Sequence, residues 1–149
     1  MVLFDEQPIK HSLIEVESDL NALLKVWQWF EQFNLPQLPQ NLWWQCQVAL
    51  TEAFTNVVRH AHQNLPQTTP ICIEVKIFSA YLEMRIWDRG QPFNLARKLH
   101  TLVQQNPNLW NEKGRGLIFM QQFTDEISYL RLSDQQNCLV MRKKFFANG

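Results

Sequence analysis

One periodic pattern restricts this chain more than any other feature. From Gln40 or Asn41 to about Gln63, apolar residues recur at spacings of three and four. Cys46, Ala49, Leu50, Ala53, Val57 and Ala61 form the stripe, as on a helix with one buried face. Pro36 and Pro39 precede it, and Pro66 and Pro70 follow it. The pattern then changes period. Ile71–Phe78 and Tyr81–Trp87 read as strands, joined at Ser79-Ala80 in a tight hairpin. Helices interspersed with hairpins indicate a layered α+β fold.

The flanking segments extend that layer. Residues 10 to 17 alternate towards their end, as a strand does. Ser18 then stands as the expected N-cap of an amphipathic helix carrying Leu20, Leu23, Leu24, Trp27 and Phe30. Residues 94 to 105 read as weakly helical, 106 to 113 as a loop, and Gly116 to Phe123 as a short apolar helix. Ile127–Arg131 and Cys138–Lys143 close with a second hairpin. The expected class is α+β, one domain over residues 1–149, with helices on one face of a sheet.

Composition removes several function classes. The formal net charge is zero, which disfavours direct nucleic-acid or anionic-membrane binding. No apolar run approaches the roughly 20 residues that span a bilayer. The acidic, proline-broken start lacks the features of a secretory signal, so a cytoplasmic protein is expected. The three cysteines are far apart and read as reduced core thiols.

Candidate chemistry lies in three places. Of four glycines, one is terminal, and the others are Gly90, Gly114 and Gly116. Glycine serves where backbone must approach something closely. Gly114-Arg115-Gly116 before an apolar helix offers free N–H groups to a phosphate. Glu52, Asn56 and His60 are spaced by four, along one side of the long helix. A solvated face would explain Glu52 and Asn56, but their neighbours are mostly apolar or small, and asparagine is poor in mid-helix unless its side chain is used. Its carbonyl oxygen suits Mg²⁺, and a Glu one turn earlier suits a general base. Asp88 ends an apolar strand, either as a turn residue or as a carboxylate on a pocket floor.

Together these segments resemble the GHKL (Bergerat) ATP-binding superfamily, and within it the bacterial anti-sigma-factor serine/threonine protein kinases. Ala49–Ala61 resembles the N box, Asp88-Arg89-Gly90-Gln91-Pro92-Phe93 the first glycine box, and Gly114-Arg115-Gly116-Leu117 the second. The resemblance covers about residues 10 to 146. It implies a Bergerat-type α/β sandwich with a mixed, mostly antiparallel sheet. It implies ATP and Mg²⁺ as cofactors, with Asn56 as the Mg²⁺ ligand and Glu52 as catalytic base. Asp88 would bind the adenine amino group, Gly90 would line the adenine pocket, and Pro92 and Phe93 of the same box would also bind the nucleotide. Gly114, Arg115, Gly116 and Leu117 would form a lid on the phosphates, helped by Lys113. Arg59 and His60 would support the nucleotide site. The implied partners are a STAS-domain anti-anti-sigma protein, a sigma factor and a second copy of the chain.

The sequence departs from the family at Gln135-Gln136-Asn137-Cys138, where many relatives carry Gly-Thr beside the adenine. Two functions follow. One is a kinase that phosphorylates the STAS partner and sequesters the sigma factor. The alternative is a catalytically silent partner-switching module, suggested by six Trp residues. Of the adjacent Trp43 and Trp44, at least one should lie near the surface. Histidine-kinase or chaperone chemistry ranks below both, because the chain has no separate phospho-acceptor helices.

Overall fold

A computed structural model describes residues 6–91, 112–133 and 135–145, with 112–115 described by their backbone. Pro92, Phe93 and the segments expected as a weak helix and a loop up to residue 111 lie outside the described residues. The order is β1 (Lys10–Glu17), a 3-10 turn (Leu20–Ala22), α1 (Leu23–Phe30), α2 (Gln40–Asn56) and a π-helical turn (Val57–Ala61). There follow β2 (Pro70–Ile77), β3 (Tyr81–Asp88), α3 (Glu112–Phe123), β4 (Glu126–Ser133) and β5 (Gln136–Lys144).

The strands form one sheet in the order β1-β2-β3-β5-β4. Each pairing between them is antiparallel, so the mixture expected for the sheet narrows to one sense among the described residues. The alternation of each strand puts Ile71, Ile73, Val75, Ile77, Leu82, Met84, Ile86 and Met141 on one face, all buried. The helices cover that face. Val26 and Phe30 of α1 and Trp43, Cys46, Ala49, Leu50, Ala53 and Phe54 of α2 enter the same core. Trp43 stacks on Phe30 at 4.4 Å, whereas Trp44 is 55% exposed, which resolves the Trp pair as expected. Each large apolar side chain buried here contributes about 1.5–3 kcal/mol.

The opposite face is mixed, with Glu74, Lys76, Glu83, Arg85 and Arg142 beside Trp87, Cys138 and Val140. Glu83 is buried there between Arg85 (3.0 Å) and Arg142 (2.9 Å). Burial would raise its carboxyl pKa, but the hydrogen bonds and charges of the two arginines outweigh burial and hold it below the ordinary value. Cys46 and Cys138 are buried free thiols whose pKa values burial pushes up to about 12 and about 11, so neither is a nucleophile near neutral pH. Cys72 is half-buried.

Two local expectations are corrected. Ser18 is not the cap of the first helical segment: Asp19 Oδ1 accepts from Asn21 N (2.9 Å). The Ser18 hydroxyl instead meets His62, 44 positions away. Helix α3 does not wait for Gly116: among the described residues it extends back to Glu112. Gly114 and Gly116 therefore lie within its first turns and not in a loop ahead of it.

Candidate functional site

Helix α2 positions the first group of residues. Glu52 and Asn56 are one turn apart, about 6 Å along the axis. Both are partly exposed, beyond the buried stripe of Ala49, Ala53 and Val57. Helix α3 packs along α2 at this level. A Cβ on Gly116 would lie 2.7 Å from Glu52 Oε2, so glycine there leaves the carboxylate its present position. The fold thus brings together Glu52 and Gly116, which are 64 positions apart. On its other side Glu52 borders a groove of about 400 Å³ lined by Trp27, Trp44, Gln47, Val48 and Thr51. Trp27 Nε1 donates to Thr51 Oγ1 (2.8 Å), which fixes that wall.

Leu117, expected in a lid on the phosphates, points its side chain into the protein. It is buried in the hydrophobic core, as is Met120 one turn on. After Asn56 the chain takes a π-helical turn, closed by His62 N donating to Val57 O (2.8 Å). Its i→i+5 closure departs from the 3.6-residue period that sets Glu52 and Asn56 one turn apart. Arg59 and His60 emerge exposed, and His62 turns inwards.

The second group surrounds Asp88, which is buried at the end of β3. Gly90 N donates to Asp88 Oδ1 (2.8 Å), and Asn137 Nδ2 donates to the same oxygen (2.9 Å). The same Asn137 amide also reaches Gly90 O (2.8 Å), while Asn137 Oδ1 accepts from Arg131 Nη1 (2.9 Å). Asn137 is fully buried and stands opposite Asp88 in the sheet register. It occupies the stretch where the sequence departs from the family pattern, and it supplies a polar anchor there. Gly90 is demanded by packing, because a Cβ would lie 2.2 Å from the carbonyl oxygen of Ala61 in the π turn.

The sequence marks the stretch holding Asn137 only as a departure from the family pattern, and it gives no role to Asn137, Arg131 or His62. The one available signal for Asn137 was a polar residue opening the apolar β5, opposite Asp88 once the strands are paired. His62 had no periodic signal, because the π turn that orients it follows no 3.6-residue pattern.

The donor set suits Mg²⁺ held largely by phosphate and water. Among the described residues no group of three or more His, Cys, Asp or Glu gathers to cage a metal. The Asn56 side chain offers one carbonyl oxygen, which is what an incompletely dehydrated Mg²⁺ requires of a protein. Among the described residues, no helix is long and apolar enough to cross a membrane.

Comparison with known proteins shows the family. The family model described as "Histidine kinase-like ATPase domain" matches residues 16–143. The chain belongs to this family. Within the histidine kinase-like ATPases, it is 30% identical over 104 residues to a serine-protein kinase RsbW of Oceanobacillus iheyensis, a match covering 67% of this chain and 63% of that protein. It is 30% identical over 84 residues to the RsbW of Bacillus licheniformis, covering 54% of this chain and 52% of the relative. An anti-sigma F factor of Clostridium acetobutylicum is 26% identical over 99 residues, covering 66% of this chain and 67% of the relative. The matched stretches thus span between about half and two thirds of these relatives' own lengths. The similarity runs to the anti-sigma kinase branch that the three motifs pointed to.

Proposed function

We propose that the protein is an ATP-dependent serine/threonine protein kinase of the anti-sigma type. It phosphorylates a STAS-domain anti-anti-sigma protein and sequesters a sigma factor. The observation that carries this reading is the meeting of Gly116 with Glu52, one helical turn from Asn56 on α2, with the anchored Asp88-Arg89-Gly90 loop at the sheet end. The names of the related proteins support the same assignment.

Asp88 accepts a hydrogen bond from the adenine amino group through Oδ2, while Gly90 N–H and Asn137 hold Oδ1. Bare backbone at Gly90 lines the ring. The N-terminal turn of α3 carries N–H groups without helical acceptors, which address the phosphates. Asn56 supplies the protein's ligand to Mg²⁺, which when bound neutralises the triphosphate charge. Glu52 takes the proton from a partner's serine or threonine hydroxyl as its oxygen bonds to the γ-phosphorus. The bond from that phosphorus to the β–γ bridging oxygen breaks, and ADP leaves with the electron pair. Little covalent work falls to the protein in such a transfer, so positioning dominates. The groove lined by Trp27 and Trp44 gives a protein substrate access to Glu52.

A silent binding module is the competing reading, favoured by the exposure of Trp44. Incubation with Mg-ATP and the cognate STAS protein separates the two. The kinase reading expects phosphate on the partner, lost in Glu52→Ala with nucleotide binding retained. Intact partner binding without transfer by the wild type would leave only the binding module.

A further inference from the structure

His62 is a buried histidine that the proposed phosphoryl transfer does not use. Its ring bridges two segments distant in sequence. Nε2 accepts from the backbone N–H of Arg89 (2.9 Å), and Nδ1 lies 3.1 Å from the Ser18 hydroxyl. One residue earlier, the carbonyl of Ala61 abuts the Gly90 backbone. The π turn therefore grips the Asp88-Arg89-Gly90 loop twice, by a side chain at Arg89 and by backbone contact at Gly90. Asn137 grips it from the sheet side.

We infer that His62 is a positioning residue: its neutral ring holds the Asp88-Arg89-Gly90 loop in the conformation that receives the nucleotide base, and protonation releases that loop. The inference rests on the proposal that Asp88 and Gly90 bind adenine. Its chemistry is one of acceptor and donor. Only a ring with an unprotonated Nε2 can accept from Arg89 N–H. A proton on Nε2 would set donor against donor in a buried site, leaving the amide unpartnered.

The surroundings set the direction of the pH effect. Burial pushes the ring's pKa below its ordinary 6.5; the Asp88 carboxylate works against this and the Arg89 guanidinium with it. From the end of β1 the facing group is the uncharged Ser18 hydroxyl, and the neighbouring Asp19 carboxylate is held by Asn21 N and Gln67 Nε2. On the π turn itself, Arg59 and His60 are exposed. The folded state binds the His62 proton less readily than the unfolded chain. The clamp is therefore complete above about pH 6.5 and is lost as pH falls through the lower folded value.

The test combines a nucleotide-independent readout with a binding one. In ¹⁵N spectra of the whole protein, the Arg89 amide should shift and lose exchange protection as the His62 ring protonates. In calorimetry with Mg-ADP, the wild type should bind about tenfold more weakly well below pH 6.5 than at pH 7.5, the size of one lost buried hydrogen bond. His62→Gln keeps an acceptor that does not titrate. It should bind as the wild type does at pH 7.5 and be free of the added acid weakening, which also separates His62 from protonation of the nucleotide itself. His62→Ala, compared at matched folded fraction, should bind about tenfold more weakly at both pH values. An Arg89 amide indifferent to His62, or a His62→Gln variant with the wild-type pH profile, would overturn the clamp alone. A wild type that binds no nucleotide at any pH would overturn the proposed function and the clamp's role with it.

Discussion

The two ends of the proposed nucleotide site are built in opposite ways. At the sheet end, Asp88, Gly90 and Asn137 are buried, and the loop is held by Asn137, His62 and the Ala61 carbonyl. At the helix end, Glu52 and Asn56 are partly exposed, and helix α3 faces Glu52 with the bare backbone of Gly116. A base of fixed shape can be recognised by a preformed pocket, whereas transfer to a protein requires an end that stays open until the acceptor arrives. Buried polar networks cost much when one partner is removed, and exposed side chains cost little. Substitutions at the two ends should therefore separate stability from chemistry.

The largest effect is expected at Gly90→Ala. The new Cβ meets backbone at Ala61 O, which cannot swing away, so we expect a loss of about 3 kcal/mol and of nucleotide binding. Thermal unfolding with and without Mg-ADP measures both. Asn137→Ala comes next. It leaves Asp88, Gly90 O and Arg131 without their shared amide, so about 2 kcal/mol of stability should go, with weaker base binding seen in denaturant titration and calorimetry.

Gly116→Ala should act oppositely. Its new Cβ meets only the end of the Glu52 side chain, which can move, and alanine raises helix propensity by up to about 1 kcal/mol. Stability should be unchanged or higher while phosphate transfer falls several-fold, because the carboxylate is displaced. A stability loss there as large as that of Gly90→Ala would erase the contrast between the ends.

The same contrast governs what could be read before the structure. The stripe in α2, the β2–β3 hairpin and β1 were legible because each repeats its own period. Glu52 and Asn56 were legible because they lie on that helix before the π turn. His62 was not, since an i→i+5 turn departs from the 3.6-residue period that sets Glu52 and Asn56 one turn apart. Asn137 is set by cross-strand register to a residue 49 positions away, which no local pattern carries. Ser18 and Asp19 are both good caps, and Ser18 is taken by His62 through a contact across the fold. The first turn of α3 was missed because two glycines argue locally against a helix, and packing along α2 overrides them.

The central claim is that Asn56 carries Mg-nucleotide binding while Glu52 carries transfer. Calorimetric titration of ATP, with and without Mg²⁺, into the wild type, Asn56→Ala and Glu52→Gln tests it most directly. The account predicts Mg²⁺-enhanced binding in the wild type and in Glu52→Gln, and loss of the Mg²⁺ enhancement alone in Asn56→Ala. Equal Mg²⁺ enhancement in Asn56→Ala and the wild type would contradict it.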